Sequence, residues 1–280
     1  MKYATLNNGI KMPLLGLGTF LVDDGAEAYD TVLAALKIGY RHIDTAQMYR
    51  NEESIGRAIV DSGVPRNEIF ITTKLRYQEM SDDEIRLYVD DSLKKLQTDY
   101  VDLILIHWPC PENEVNVKTW KVFEEIYNRG KAKAIGLSNF QIHHLDRLLP
   151  NCKVMPAINQ VELHPCLSQL PLKKYMSTFN IQIESYGPFM KGRVFADPYF
   201  PKLEEVAKKY NASVAQIIIA WGLNNNVVMI PKSVSKDRLQ ENFDAHKIVI
   251  KKEDMDAIDA LNWGGRVYTD PDNNVFWRKR

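Results

Sequence analysis

Eight short apolar runs, each followed by a longer segment with apolar residues every three or four positions, constrain this chain more than any other feature. The runs fall at 14–18, 40–44, 69–74, 101–107, 132–138, 156–160, 181–186 and 227–230. The helical pattern is plainest at 27–38, 82–96, 120–128 and 215–224. Ser81-Asp82-Asp83-Glu84 has the form of a capping box at one helix start, and Gly39 and Gly130 mark helix ends. Strict strand–helix alternation predicts a parallel sheet. Eight repeats with no linker between them favour one closed (β/α)8 TIM barrel over residues 1–280, rather than two doubly wound halves. A β-hairpin is expected ahead of it, Tyr3-Ala4-Thr5-Leu6 and Ile10-Lys11-Met12 around a turn at Asn7-Asn8-Gly9.

Four polar residues stand where such runs give out. Asp44 closes the second run and Tyr49 follows it; Lys74 closes the third and His107 the fourth. A parallel barrel keeps its chemistry at the C-terminal ends of its strands. Singly, each residue has an ordinary explanation: a helix cap, a core edge, a solvated lysine, a satisfied core histidine. Together they suit proton movement at a carbonyl oxygen. Tyr49 is the candidate acid, and a phenol near its usual pKa of about 10 is sluggish at neutral pH. A lysine beside it lowers that value, Asp44 supplies the lysine with a counter-charge, and His107 can donate a ring N–H to the developing oxyanion.

The charge balance argues against a nucleic-acid partner, because 36 basic residues meet 36 acidic ones and no basic stripe stands out. No apolar stretch approaches a membrane span, and the N-terminus carries no apolar signal region. Cys110, Cys152 and Cys166 form neither a CxxC pair nor an even set, which fits a reducing cytoplasm and suggests no structural metal. Gly16-Leu17-Gly18 lacks the third glycine of a dinucleotide-binding fingerprint and opens no helix. Any dinucleotide must bind in another way.

The longer motifs resemble the aldo-keto reductases over nearly the whole chain. Gly39-Tyr40-Arg41-His42-Ile43-Asp44-Thr45-Ala46-Gln47-Met48-Tyr49 is similar to that family's first signature, and Asp102-Leu103-Ile104-Leu105-Ile106-His107-Trp108-Pro109 to its fourth-strand signature. Gly136-Leu137-Ser138-Asn139-Phe140, Asn159-Gln160-Val161-Glu162 and Ile230-Pro231-Lys232-Ser233-Val234 match further segments. The resemblance implies a barrel that binds NADPH extended and reduces small carbonyl compounds, with a monomer as the plain expectation. It implies Asp44, Tyr49, Lys74 and His107 as the catalytic set. Ser138, Asn139 and Gln160 would hold the nicotinamide carboxamide, and Tyr186 would stack on the ring. Lys232, Ser233 and Arg238 would grip the ribose 2′-phosphate, Glu241 and Asn242 would contact adenine, and Gly18, Thr19, Gly187 and Val234 would border the cofactor. Two cations and a hydroxyl just before a helix start near Ser235 suit a phosphate dianion.

The chain departs from the family pattern at Gly187, where serine is usual, at Met190-Lys191-Gly192-Arg193-Val194, which replaces a glycine-rich loop, and at Arg76, where an aromatic is common. Phe20 and Trp108 are expected to frame the substrate pocket, joined from the C-terminal tail by Tyr268, Phe276 or Trp277, the last two of which could equally serve to pack the tail onto the barrel. Arg266 and Arg278 could attract an anionic substrate, although charges in tails are usually solvated. Two other readings remain: an NADPH-binding sensor or regulatory barrel with slow chemistry, and a metal-dependent hydrolase using His42, Asp44 and His107. The latter lacks an HxH pair.

Overall fold

The computed structural model describes residues 2–75, 80–196 and 198–273. Its opening strands, β1 (Tyr3–Thr5) and β2 (Lys11–Pro13), pair antiparallel with Ala4 opposite Met12, both buried. The hairpin turn donates from Asn7 to the carbonyl of Pro156 and from Asn8 to that of Lys133. Both acceptors lie just ahead of barrel strands, so the hairpin sits at the end of the barrel opposite the strand C-termini.

All eight apolar runs become parallel strands: β3 (Leu17–Gly18), β4 (His42–Asp44), β5 (Phe70–Leu75), β6 (Leu103–Ile106), β7 (Ile135–Ser138), β8 (Ile158–Glu162), β9 (Gln182–Tyr186) and β10 (Val228–Met229). They hydrogen-bond in chain order from β3 to β10. Closure comes from the two ends meeting: Met229 N–H donates to Leu14 O at 2.8 Å and Gly16 N–H to Met229 O at 2.9 Å. The fold is the expected TIM barrel with an N-terminal hairpin.

Ten α-helices surround the sheet among the described residues: α1 (Ala26–Ile38), α2 (Glu52–Asp61), α3 (Asp82–Lys95), α4 (Asn113–Asn128), α5 (Ile142–Leu148), α6 (Leu170–Ser177), α7 (Phe200–Lys209), α8 (Val214–Asn224), α9 (Lys236–Asp244) and α10 (Lys252–Asp259). The capping box at Ser81 forms as expected, with Glu84 N–H on Ser81 Oγ and Ser81 N–H on Glu84 Oε2. Helix α1 ends at Gly39, whose φ of 121° suits glycine alone. Helix α4 begins seven residues before the apolar pattern at 120–128. Its first turns bury polar side chains, notably Asn116, which bonds both the N–H and the carbonyl of Cys110. A hydrophobic period cannot register an inward-facing asparagine. Among the described residues, no helix is long and apolar enough to cross a membrane.

Candidate active site

The strand C-termini converge on a cavity of about 580 Å³. Lys74, fully buried at the end of β5, donates to Asp44 Oδ1 at 2.5 Å, to Thr45 O at 3.0 Å and to the Tyr49 hydroxyl at 3.3 Å. An ammonium has three hydrogens, and all three are thus assigned. Tyr49 receives one of them, so its own proton is directed elsewhere, and Tyr49 lines the cavity. His107, at the end of β6, sets its ring edge-on to Tyr49 with centroids 5.7 Å apart.

Burial governs the electrostatics. It holds the Tyr49 phenol above its ordinary value, with Lys74 pulling the other way and losing. The expectation of a more acidic phenol is therefore not met: desolvation of the phenolate outweighs one nearby cation that is already shared with Asp44. Burial, followed by the charge of Lys74, pushes His107 well below the usual imidazole range, so it is neutral at physiological pH. Burial likewise lifts the Asp44 carboxyl, against the pull of Lys74 and Gln160. Lys74 stays above its ordinary value: burial alone would lower it, but Asp44 and Tyr49 more than compensate.

Behind these groups runs a polar network. Gln160 Nε2 donates to Asp44 Oδ2 at 2.8 Å and to Glu184 Oε2 at 2.9 Å. The Asp44 carboxylate can only accept and so requires the amide nitrogen there, which leaves Gln160 Oε1 on the cavity side as an acceptor. Asn139 is left-handed, with φ 69°. Its amide is committed to His107 O at 3.0 Å and Ser138 Oγ at 3.1 Å, and its carbonyl to the Tyr186 hydroxyl at 2.8 Å. Ser138 donates in turn to Gln160 O.

The cavity wall thus gathers most of the expected residues: Gly18, Phe20, Asp44, Tyr49, His107, Trp108, Ser138, Asn139, Gln160, Tyr186, Gly187 and Lys232. Thr19 is fully buried instead, its N–H and hydroxyl both on Asp44 O, and it braces the strand end. Ser233 and Val234 lie just ahead of α9, and Arg238, Glu241 and Asn242 within it. Ser233 Oγ accepts the Ser235 N–H there, and Asn242 is buried. Among the described residues, neither Lys232 nor Arg238 forms an ion pair, and both are exposed. Arg76, Phe276, Trp277 and Arg278 lie outside the described residues.

The C-terminal segment contributes more than expected. Glu162, fully buried at the end of β8, accepts the backbone N–H groups of Val267 at 2.6 Å and Tyr268 at 3.2 Å and pairs with Arg266 at 3.5 Å. Arg266 is therefore a structural tie and not a free attractor of substrate. The tie places Tyr268 and Thr269 on the cavity wall. Tyr268 stands edge-on to Tyr186 at 5.3 Å, beneath the Lys191 ammonium at 4.7 Å. It also explains Gly187. Gly187 has φ +63°, and a Cβ there would meet the Tyr268 ring at 2.4 Å. Restoring the serine usual at this position is expected to destabilise the protein by about 1–3 kcal/mol, read as a lowered thermal midpoint; an unchanged midpoint would mean that Tyr268 does not hold this seat.

Further out, the same segment is tied by Asp272 Oδ1 to His143 Nε2 at 2.8 Å and His144 Nε2 at 3.2 Å. These three side chains have metal-ligand proximity. His144 Nδ1, however, accepts the Gln141 N–H, which places its proton on Nε2 and turns that nitrogen into a donor toward Asp272.

The profile of the Aldo/keto reductase family matches residues 14–262. The chain belongs to that family. It is 45% identical to the glyoxal reductase of Bacillus subtilis (strain 168), covering 97% of this chain and 96% of that protein. It is 43% identical to the methylglyoxal reductase DkgA of Escherichia coli (strain K12), covering 95% and 96%. Its fold superposes on the Bombyx mori aldo-keto reductase in complex with NADP with a TM-score of 0.89, at 33% identity over 98% and 99% of the two chains. As a member of this family the protein is an oxidoreductase acting on carbonyl groups.

Missing from the sequence reading were Leu21, Met48, Phe189 and Thr269 on the cavity wall, and the buried carboxyls of Glu162 and Glu184. The carboxyls had a signal. Each is a charged residue inside a strand that a barrel buries on both faces, where a charge persists only with partners.

Proposed function

We propose that this chain reduces small aldehydes and ketones, α-oxoaldehydes among them, with NADPH as reductant and Tyr49 as general acid. The observation that carries this reading is the Lys74 ammonium, divided among Asp44, Thr45 O and the Tyr49 hydroxyl at the wall of the cavity. The cavity is lined largely by apolar and aromatic side chains, which suits a compact carbonyl compound with one polar end. The names of the two reductases from Bacillus and Escherichia support the α-oxoaldehydes.

The residues present fit the cofactor. Gln160 Oε1 is a leftover acceptor for a carboxamide. Lys232 and Arg238 form no ion pair among the described residues; Lys232 and Ser233 stand just ahead of α9 and Arg238 in its first turn, where a 2′-phosphate would find charge and a helix N-terminus. When bound, a reduced nicotinamide supplies the hydride. The chain does the rest. Neutral His107 donates to the substrate oxygen and orients it. Tyr49, kept protonated by burial, gives its proton to that oxygen as charge develops there, while Lys74 stabilises the phenolate left behind.

We further take the chain to act as one barrel domain, a monomer in a reducing cytoplasm. Burial pushes the Cys152 thiol up to about 12 and the Cys166 thiol up to about 11, which makes both poor nucleophiles.

The test is NADPH oxidation by the purified protein with methylglyoxal and with 4-nitrobenzaldehyde. Turnover of neither would overturn the proposal and favour a binding-only barrel. Replacing Arg238 with alanine is expected to raise the KM for NADPH by about 10–100-fold, the worth of one charge-assisted phosphate contact. The KM for NADH should change by about twofold or less, and equal losses for both would remove Arg238 from the phosphate site.

A further inference from the structure

Beneath the tetrad lies a titratable group that the mechanism above leaves unused. Glu184, on β9, is fully buried. Its Oε2 accepts from Gln160 Nε2 at 2.9 Å, and the same nitrogen holds Asp44 Oδ2 at 2.8 Å. Its Oε1 has no hydrogen-bond partner among the described residues. That oxygen lies 3.7 Å from His42 Nε2, itself on Thr72 Oγ1 at 3.1 Å. The groups that face Glu184 are His42 and Asp44 from β4, Tyr49 from the loop that follows it, Lys74 from β5 and Gln160 from β8. Burial, then Lys74, pushes His42 down to about 3, so it carries no charge.

One cation therefore serves two carboxyls, both buried. Lys74 contacts Asp44 directly at 2.5 Å and has no hydrogen left for Glu184. Two buried anions sharing one amide cannot both be ionised cheaply, and the one without a cation keeps its proton. Burial first, and then the charge of Asp44, raises the Glu184 carboxyl to about 8. In that form its carbonyl oxygen can take the Gln160 hydrogen while its hydroxyl turns toward His42.

We propose that Glu184 is a positioning residue of the reductase site: a neutral carboxyl that steadies the Gln160 amide against Asp44, and whose loss of a proton weakens Tyr49 as an acid. This rests on the reading of Tyr49 as the proton donor. An ionised Glu184 competes with Asp44 for the amide, draws on the field of Lys74 and adds negative charge below the phenol. Each of these raises the cost of forming the phenolate.

The decisive variant is Glu184→Gln, which keeps shape and hydrogen bonding but cannot ionise. With saturating NADPH and methylglyoxal, wild-type kcat is expected to fall about tenfold between about pH 7 and pH 9.5, and that of the variant about twofold or less. Superimposable profiles would overturn the proposal. A second measurement needs neither the variant nor turnover. Infrared titration of the wild-type protein should reveal a buried protonated carboxyl near neutral pH that disappears around pH 8, and its absence would also overturn it. If the protein proves to reduce no carbonyl, the kinetic arm fails together with the proposed function. A carboxyl band in the infrared titration would then keep the neutral Glu184 while removing its part in catalysis.

Discussion

Replacing Tyr49 with phenylalanine is expected to lower kcat for carbonyl reduction by roughly 10²–10⁴-fold, the usual worth of a positioned general acid. The Kd for NADPH should stay within about twofold, since the substitution deletes one oxygen and little contact area. Phe20, whose ring lies 5.1 Å from that of Tyr49, and His107, edge-on to it, pack equally well against either ring. The loss therefore measures the proton and not the shape of the wall. Stability should change little or rise, because the hydroxyl is only the third and longest of the Lys74 contacts, at 3.3 Å. Stopped-flow measurement of single-turnover NADPH oxidation, with cofactor binding followed by fluorescence, separates the two quantities. Turnover retained to within about tenfold would remove Tyr49 from the acid role. The field of Lys74 then matters through the product of the step, the phenolate, and not through a lowered resting pKa.

The distinction between resting acidity and stabilised product marks where the sequence stopped being informative. That Asp44, Tyr49, Lys74 and His107 meet was legible, because each ends or follows an apolar run and a parallel barrel brings strand ends to one face. Legible too was the barrel itself, since all eight runs became strands. Burial was not. Whether Lys74 or desolvation governs the phenol depends on how many partners share the ammonium, and Thr45 O is a backbone atom that no motif names. Glu162 and Glu184 were readable as charges inside buried strands, yet their partners are set by three-dimensional neighbours: the N–H groups of Val267 and Tyr268 for one, the Gln160 amide for the other. Gly187 looked like a lost hydroxyl. It proves to be the space that Tyr268, about eighty positions along the chain, occupies.

Replacing Lys74 with methionine should have the largest combined effect. The side chain keeps its length and apolar stem, but Asp44 then sits almost wholly buried with, among the described residues, only the Gln160 amide as a side-chain donor. Breaking a buried pair from one side costs about 3–5 kcal/mol, because the remaining charge is stranded. The sign of the pH dependence follows. Without the ammonium, the folded-state pKa of Asp44 rises further above its unfolded value, so the penalty is absent below the unfolded pKa and grows as pH rises toward the folded one. Denaturation curves near pH 3.5 and pH 7 should therefore differ between variant and wild type, with the deficit at the higher pH. The double variant Lys74→Met, Asp44→Asn removes both charges and should recover most of that stability, since replacing a buried pair by neutral groups is often close to neutral. Activity should not recover with it, because nothing is left to stabilise the phenolate of Tyr49. If the double variant regained turnover along with stability, the pair would be a fold element alone. If the single variant were as stable as wild type at pH 7, Asp44 would already be neutral in the native protein, and the ion pair drawn from its 2.5 Å contact with Lys74 would be wrong.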